Sequence, residues 1–271
     1  MTFTVTTSSA SYATPPYSDP TTLTTLPKIE EICSYLKDKA LCSLGFCFDE
    51  NYKLCAYPRK SGPENYFPQE ITLEKILPKL PQRLSNGDVY HLAITLVASV
   101  FQLIDTPWLD QTWTKRAIMF LKPKPGTKSE VDITHPILMQ HFDTSTTKNS
   151  PDQASSSARK ALLALGILLL EIHSTQPIEM IRKPEDLPPN FPANSTPDPD
   201  SDHRTAIRWL FEQVSRGNIT RGFCSAITNC LQAYINPHAD FTNVEFCRSI
   251  EETVLKPLEE ERKFLVDGPN A

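Results

Sequence analysis

Glycine is scarce in this sequence, at eight of 271 residues. Neither G-x-G-x-x-G nor G-x-x-x-x-G-K-[ST] occurs, so no glycine-rich loop is written into the chain to cradle a phosphate. A basic excess is missing too. The formal charge is −5 at neutral pH, which argues against a nucleic-acid or anionic-membrane partner. The seven cysteines form no C-x-x-C pair. Zinc sites usually show such tight pairs, so the expectation is reduced thiols in a cytoplasmic protein and no metal. The first residues, MTFTVTTSSASYATPP, carry neither a basic start nor an apolar run, and no secretory signal is expected. No G-x-S-x-G is present, and no catalytic triad declares itself.

Long apolar runs are also lacking. The longest, residues 161–170, ends at Glu171. A membrane span needs about 20 apolar residues, so a run half that length reads as a buried core helix. Being apolar on every face, ALLALGILLL must be enclosed by other elements. Gly166 costs about 1 kcal/mol relative to alanine in such a helix, which points to a neighbour packed closely against it.

Proline, by contrast, is abundant, at 24 residues. Residues 1–26 are rich in Thr, Ser and Pro without periodicity and are expected to be a disordered tail. Ile29, Ile32, Cys33 and Leu36 recur at helical spacing. SLGFCFDENYKLCAYP places apolar runs on either side of Asp-Glu-Asn, as a β-hairpin would. ITLEKILPKL reads as a short helix stopped by proline. Residues 85–105 form the best amphipathic pattern, with Val89, Leu92, Ala93, Leu96, Val97, Val100, Phe101 and Ile104 on one face. Ser85 and Asp88 resemble a capping box at its start. AIMFL and VDITHPIL read as short strands, and residues 143–158 as a mobile polar loop. After the buried helix come a proline-rich connection and three helical segments. The fold class expected is mainly α with a few short strands.

An amphipathic helix, two short strands, a long loop, a buried helix and a helical finish resemble the order of a protein-kinase large lobe. HLAITLVASVFQLI looks like the helix before the kinase catalytic loop. WTKRAIMFL sits where kinases carry H-R-D-x-x-x-x-N-I-L-L, and VDITHPIL where they carry the strand ending in D-F-G. Gly166, Glu171 and Pro177 fall on the pattern of the buried central helix. Taken together, TPWL, ALGILLLEI, AI..CL and VLKPLEEE are similar to a kinase-like domain of unknown function found in filamentous fungi, often beside prion-inhibition or heterokaryon-type modules. The resemblance covers roughly residues 28–265. It implies a reduced small lobe and hinge over 27–82 and a helical large lobe over 83–271.

The departures from that pattern imply an inactive enzyme. The magnesium-binding asparagine position is Ala117, and the catalytic aspartate position is Thr112. The D-F-G position reads Thr134-His135-Pro136, and the aspartate that opens the central helix is Ala161. Phosphoryl transfer depends on positioning, metals and cations, and the recognisable contributors are missing. The expectation is a pseudokinase-type module that binds an unknown protein partner in signalling or regulation, with no cofactor and with nucleotide binding in doubt. The alternatives are an atypical phosphotransferase using Asp110, Asp132 or His135, or a piece of a larger multidomain protein. Trp108 and Trp113 are expected to anchor a loop onto the core. Lys115 and Arg116 are expected to be solvated cations, and Glu171 a satisfied buried carboxylate. His173 is expected to end its helix with a favourable charge. His135, His141 and Asp143 fit no common metal spacing and are expected to be structural or surface groups.

Overall fold

A computed structural model of the protein describes residues 44–48, 54–58, 66–80, 85–104, 113–123, 131–133, 135–138, 151–189, 191–192 and 197–268. The expected tail, the helix around Ile29–Leu36, Trp108, Asp110, Thr112, Thr134, His141 and Asp143 lie outside those residues. Contacts divide the chain into two compact units. One contains the hairpin of β1 (Leu44–Phe48) and β2 (Leu54–Pro58). Its strands are antiparallel, with Phe46 opposite Ala56, and the Asp-Glu-Asn segment lies between them as expected.

The second unit, built mainly from Glu70–Phe120 and Val131–Ala271, is where the helices lie. Strand β3 (Tyr66–Thr72) leads into it and was not legible in the pattern, because Pro68 interrupts the run. The short helix expected from Ile71 begins two residues later, as α1 (Leu73–Ile76), followed by a 3₁₀ turn at Leu77–Lys79 around Pro78. Strands β4 (Ile118–Pro123) and β5 (Ile137–Leu138) complete a sheet in the order β3–β4–β5. β4 and β5 run antiparallel, Ile118 opposite Leu138.

Helix α2 (Asn86–Leu103) has the capping box its sequence suggests. Ser85 Oγ accepts the Asp88 N–H at 3.2 Å, and Asp88 accepts the Ser85 N–H at 3.0 Å. Leu92, Ala93, Leu96, Val97 and Val100 form its buried face. Ser85→Ala removes one half of the box, and we expect a loss of about 1 kcal/mol in urea unfolding. An unchanged midpoint would show that the cap adds nothing.

Helix α3 (Pro151–Ser174) is longer than its apolar core. Residues 151–158, expected as the end of a mobile loop, form its first two turns. Pro151 opens it, where a missing N–H costs nothing and the fixed φ suits the helix. Leu162, Leu165, Leu169 and Leu170 are fully enclosed. Each such side chain contributes about 1.5–3 kcal/mol by leaving water. α3 ends where Thr175 takes a left-handed φ of 56°. Among the described residues, no helix is long and apolar enough to cross a membrane.

The remaining elements wrap this helix. α4 (Ile178–Ile181) and a 3₁₀ turn (Pro184–Asp186) precede α5 (Pro199–Ser215), which is capped by Asp198. α6 (Arg221–Ile235), α7 (Val244–Ile250), a π-helical turn (Glu251–Leu255) and α8 (Lys256–Asp267) finish the unit. α3 packs against α2, α5 and above all α6. The π turn has a cause: Pro257 has no N–H to offer the Thr253 carbonyl. That carbonyl instead accepts from Ser225 Oγ at 3.2 Å and from Asn229 Nδ2 at 3.4 Å.

Gly166 is closely covered by α6, the neighbour that its cost in the helix suggested. A methyl group added there would lie 3.0 Å from Cys230 Cβ and 3.3 Å from Leu231 Cδ2. The α3–α6 pair can approach this closely only because position 166 has no side chain. Gly222 does the same for α6 and α8. Its N–H donates to Glu261 Oε2 at 2.7 Å, and a methyl group there would lie 2.7 Å from the Pro257 carbonyl oxygen. Thr220 gives α6 no side-chain cap, so the Glu261 carboxylate from α8 supplies the acceptor that the helix start needs. The Thr220 hydroxyl instead pairs with Tyr90 Oη of α2 at 2.6 Å.

Candidate functional site

Where the sequence resembles a catalytic loop, Trp113–Ala117 turns into β4. Trp113 is buried in the core and anchors this turn as expected. Ala117 is half-buried, its N–H donating to the Thr114 carbonyl at 2.9 Å. It offers no side-chain ligand for a metal.

Lys115 corrects the expectation of a solvated cation: only 6% of it is exposed. Its Nζ donates to Glu171 Oε1 at 2.5 Å and to Glu179 Oε2 at 2.6 Å. Glu171 comes from the last turn of α3, 56 positions away in sequence, and is itself 2% exposed. The same Oε1 accepts the Ile178 N–H at 2.8 Å, so one carboxylate ties the turn before β4 to α3 and the start of α4. Burial works against the Lys115 charge, but Glu171 and Glu179 outweigh it and hold its pKa above the ordinary lysine value. Burial pushes the Glu171 carboxyl up, against the pull of Lys115 and the Ile178 amide. The result is a protonated amine enclosed by carboxylates. It is neither a nucleophile nor a free cation for a phosphate.

Arg116, next in the chain, is 73% exposed and pairs with Glu74 Oε1 at 2.8 Å, as a surface cation should. His135 is exposed, and its Nδ1 lies 2.9 Å from Asp132 Oδ2. This is the one pairing, among the described members of the sequence-derived set, that has the form of an oriented base. Pro136 is buried beside it and lines a cavity of about 30 Å³ with Leu96, Val100, Trp113, Ile118 and Ile137. No charged side chain lines this cavity. Ala161 is buried in α3. Among the described residues, no three His, Cys, Asp or Glu side chains converge as a metal site.

His173 departs from expectation. Burial lowers its pKa, so the ring is neutral at pH 7 and brings no charge to the helix end. Its ring packs on Phe223 with centroids 4.8 Å apart. Cys230 is fully enclosed, and burial pushes its thiol well above the ordinary range; it is an inert core residue.

A second polar cluster was not legible in the sequence. Arg208 of α5 donates to both oxygens of Asp186, at 3.0 and 2.6 Å, and to the Ile181 carbonyl at 2.8 Å. Its Nη1 reaches Glu212 at 2.9 Å. The Arg208 guanidinium holds the Asp186 carboxyl below the usual carboxylate range. Lys183 Nζ adds the second cation, 3.2 Å from Glu212 Oε1, and the cluster pins the proline-rich connection onto α5.

No curated protein matches this chain. Residues 13–264 match a family described as a domain of unknown function, DUF7580, and with that much of its length covered the chain belongs to the DUF7580 family.

Proposed function

We propose that this protein is a catalytically inactive, kinase-like domain that acts by binding other proteins in cytoplasmic signalling or regulation. One observation carries this reading. Lys115, the buried cation in the segment that resembles a catalytic loop, is neutralised by Glu171 and Glu179. An enzyme that moves phosphate keeps cations and metal ligands facing the substrate. Here the cation faces inward, and Ala117 stands at the position of the metal-binding asparagine. The resemblance to fungal kinase-like domains and the substitutions at Thr112, Ala117, Thr134, His135, Pro136 and Ala161 support the same reading.

The Asp132–His135 pair favours the rival reading, an atypical phosphotransferase. Its aspartate orients an exposed imidazole, which is the arrangement a general base needs. One pair of measurements decides between the two. ATP with Mg²⁺ should leave the melting temperature unchanged, whereas a ligand at 100 times its Kd would add about 2.7 kcal/mol. Overnight incubation with labelled ATP should give no transfer to the protein or to generic substrates. Active kinases turn over at about 1–100 s⁻¹, so even a loss of about 10⁶-fold is visible on that timescale. Stoichiometric labelling that disappears in Asp132→Ala or Thr112→Ala would overturn the inactive reading. Labelling that survives both variants comes from a contaminating kinase.

A further inference from the structure

The hairpin of β1 and β2 sets two cysteines directly opposite each other. Cys47 pairs in register with Cys55, and seven residues lie between them in the chain. Successive residues of a strand belong to opposite faces. Phe46, Phe48, Leu54 and Ala56 therefore share one face of the hairpin, and both cysteines share the other. Opposed residues of an antiparallel pair have Cα atoms about 4.5 or 5.5 Å apart, according to the kind of pair they form. Disulfides span Cα separations of about 4.4–6.8 Å. Either kind of pair falls within that range, so the two thiols can join without a change of register.

The other described cysteines are not placed in this way. Cys224, Cys230 and Cys247 are not disulfide-bonded. Cys224 and Cys230 lie on α6, and at about 3.6 residues per turn their six-residue spacing sends them in different directions. Cys230 is sealed in the core, and Cys247 Sγ donates to the Phe241 carbonyl at 3.0 Å. Only in the hairpin, among the described residues, does strand pairing itself bring two cysteines together.

We propose that Cys47 and Cys55 are a reversible modification site, a dithiol that closes to a disulfide by exchange with oxidised glutathione. One cysteine thiolate attacks a glutathione sulfur, breaks the glutathione S–S bond and releases one glutathione thiolate. The second cysteine thiolate then attacks the first cysteine's sulfur in the mixed disulfide and releases the other glutathione. Two protein thiols and one glutathione disulfide thus become one protein disulfide and two glutathiones, which carry away both electrons and both protons. In a reducing cytoplasm the pair rests as thiols and closes when the poise turns oxidising. The proposal goes beyond the binding function and does not depend on it.

Equilibration of the full chain in mixtures of reduced and oxidised glutathione, with acid quenching and mass spectrometry, tests it. In the folded chain, closure should remove about 2 Da, the two hydrogens of one disulfide, and leave no glutathione on either cysteine. Trypsin cuts after Lys53, between the two cysteines, so the closed form should give two peptides held together by the bond. Residues 40–53 also include Cys42; Cys42→Ser should therefore keep the link, and Cys47→Ser should lose it. Because the fold holds the thiols together, the bond should survive a [GSH]²/[GSSG] ratio about tenfold or more higher than it does in urea. A link that survives Cys47→Ser overturns the proposal. So does a chain that ends as glutathione adducts or does not react, or a bond that is equally stable in urea.

Discussion

Replacing Gly166 by leucine should cost the domain about 3 kcal/mol, at the upper end of what overpacking a core usually does. At position 166 even a methyl group would require Cys230 and Leu231 of α6 to give way. Gly166→Ala should be nearly neutral, because the strain is offset by the gain of about 1 kcal/mol in helix propensity. Leucine adds a branched side chain to the same gap and has nothing comparable to set against it. Leu231→Ala opens space opposite, so the double variant should recover part of the loss rather than add to it. Urea unfolding of the parent, the three single variants and the double variant reads all of this. A leucine variant as stable as the parent would mean that the α3–α6 contact is not what sets the core.

Lys115→Met should be at least as damaging, about 3–5 kcal/mol, because it leaves the Glu171 charge buried without its cation. Glu179 is half exposed and can turn to water; Glu171 cannot. The variant should also acquire a distinctive pH dependence. An isolated buried carboxyl has a pKa above its unfolded value of about 4.3. The folded state then binds a proton that the unfolded state does not, so stability rises as pH falls through the raised pKa. The deficit should be full near pH 8 and shrink toward acid. Adding Glu171→Gln removes the charge and keeps an acceptor for the Ile178 N–H, so it should restore most of the stability and abolish the pH dependence. A deficit that is flat with pH would show that packing by the lysine stem, and not the ion pair, is what was lost.

These two sites divide what local pattern reveals from what it does not. The buried helix, its glycine and the α2 capping box could be read from spacing alone, because each depends on residues within a few positions of one another. The start of α3 could not. Residues 151–157 are polar, and the apolar period that identifies a helix begins only at Ala158. Strand β3 was hidden by its proline. The Lys115–Glu171 bond joins residues 56 positions apart, and a lysine before a strand looks the same in sequence whether it is solvated or enclosed. His173 was misread for the same reason: its place at a helix end is local, but Phe223, which helps bury it, is 50 positions away. Of the candidate site, the residue types in the turn before β4 were legible, and the pairing that neutralises Lys115 was not.

The hydrogen bond from Gly222 to Glu261 also sets an order of events in time. A chain is synthesised from its N-terminus at about 5–20 residues per second. Helix α3 leaves the ribosome well before α6, which must cover it. α6 in turn receives the acceptor for its first turn from a residue 39 positions later still. The most apolar surface of the protein is therefore made early and sealed late. During that interval, on the order of several seconds, ALLALGILLL is open to whatever else in the cell binds greasy helices. The sequence distance between Gly166 and Glu261 thus sets how long the apolar helix waits for its cover to be completed.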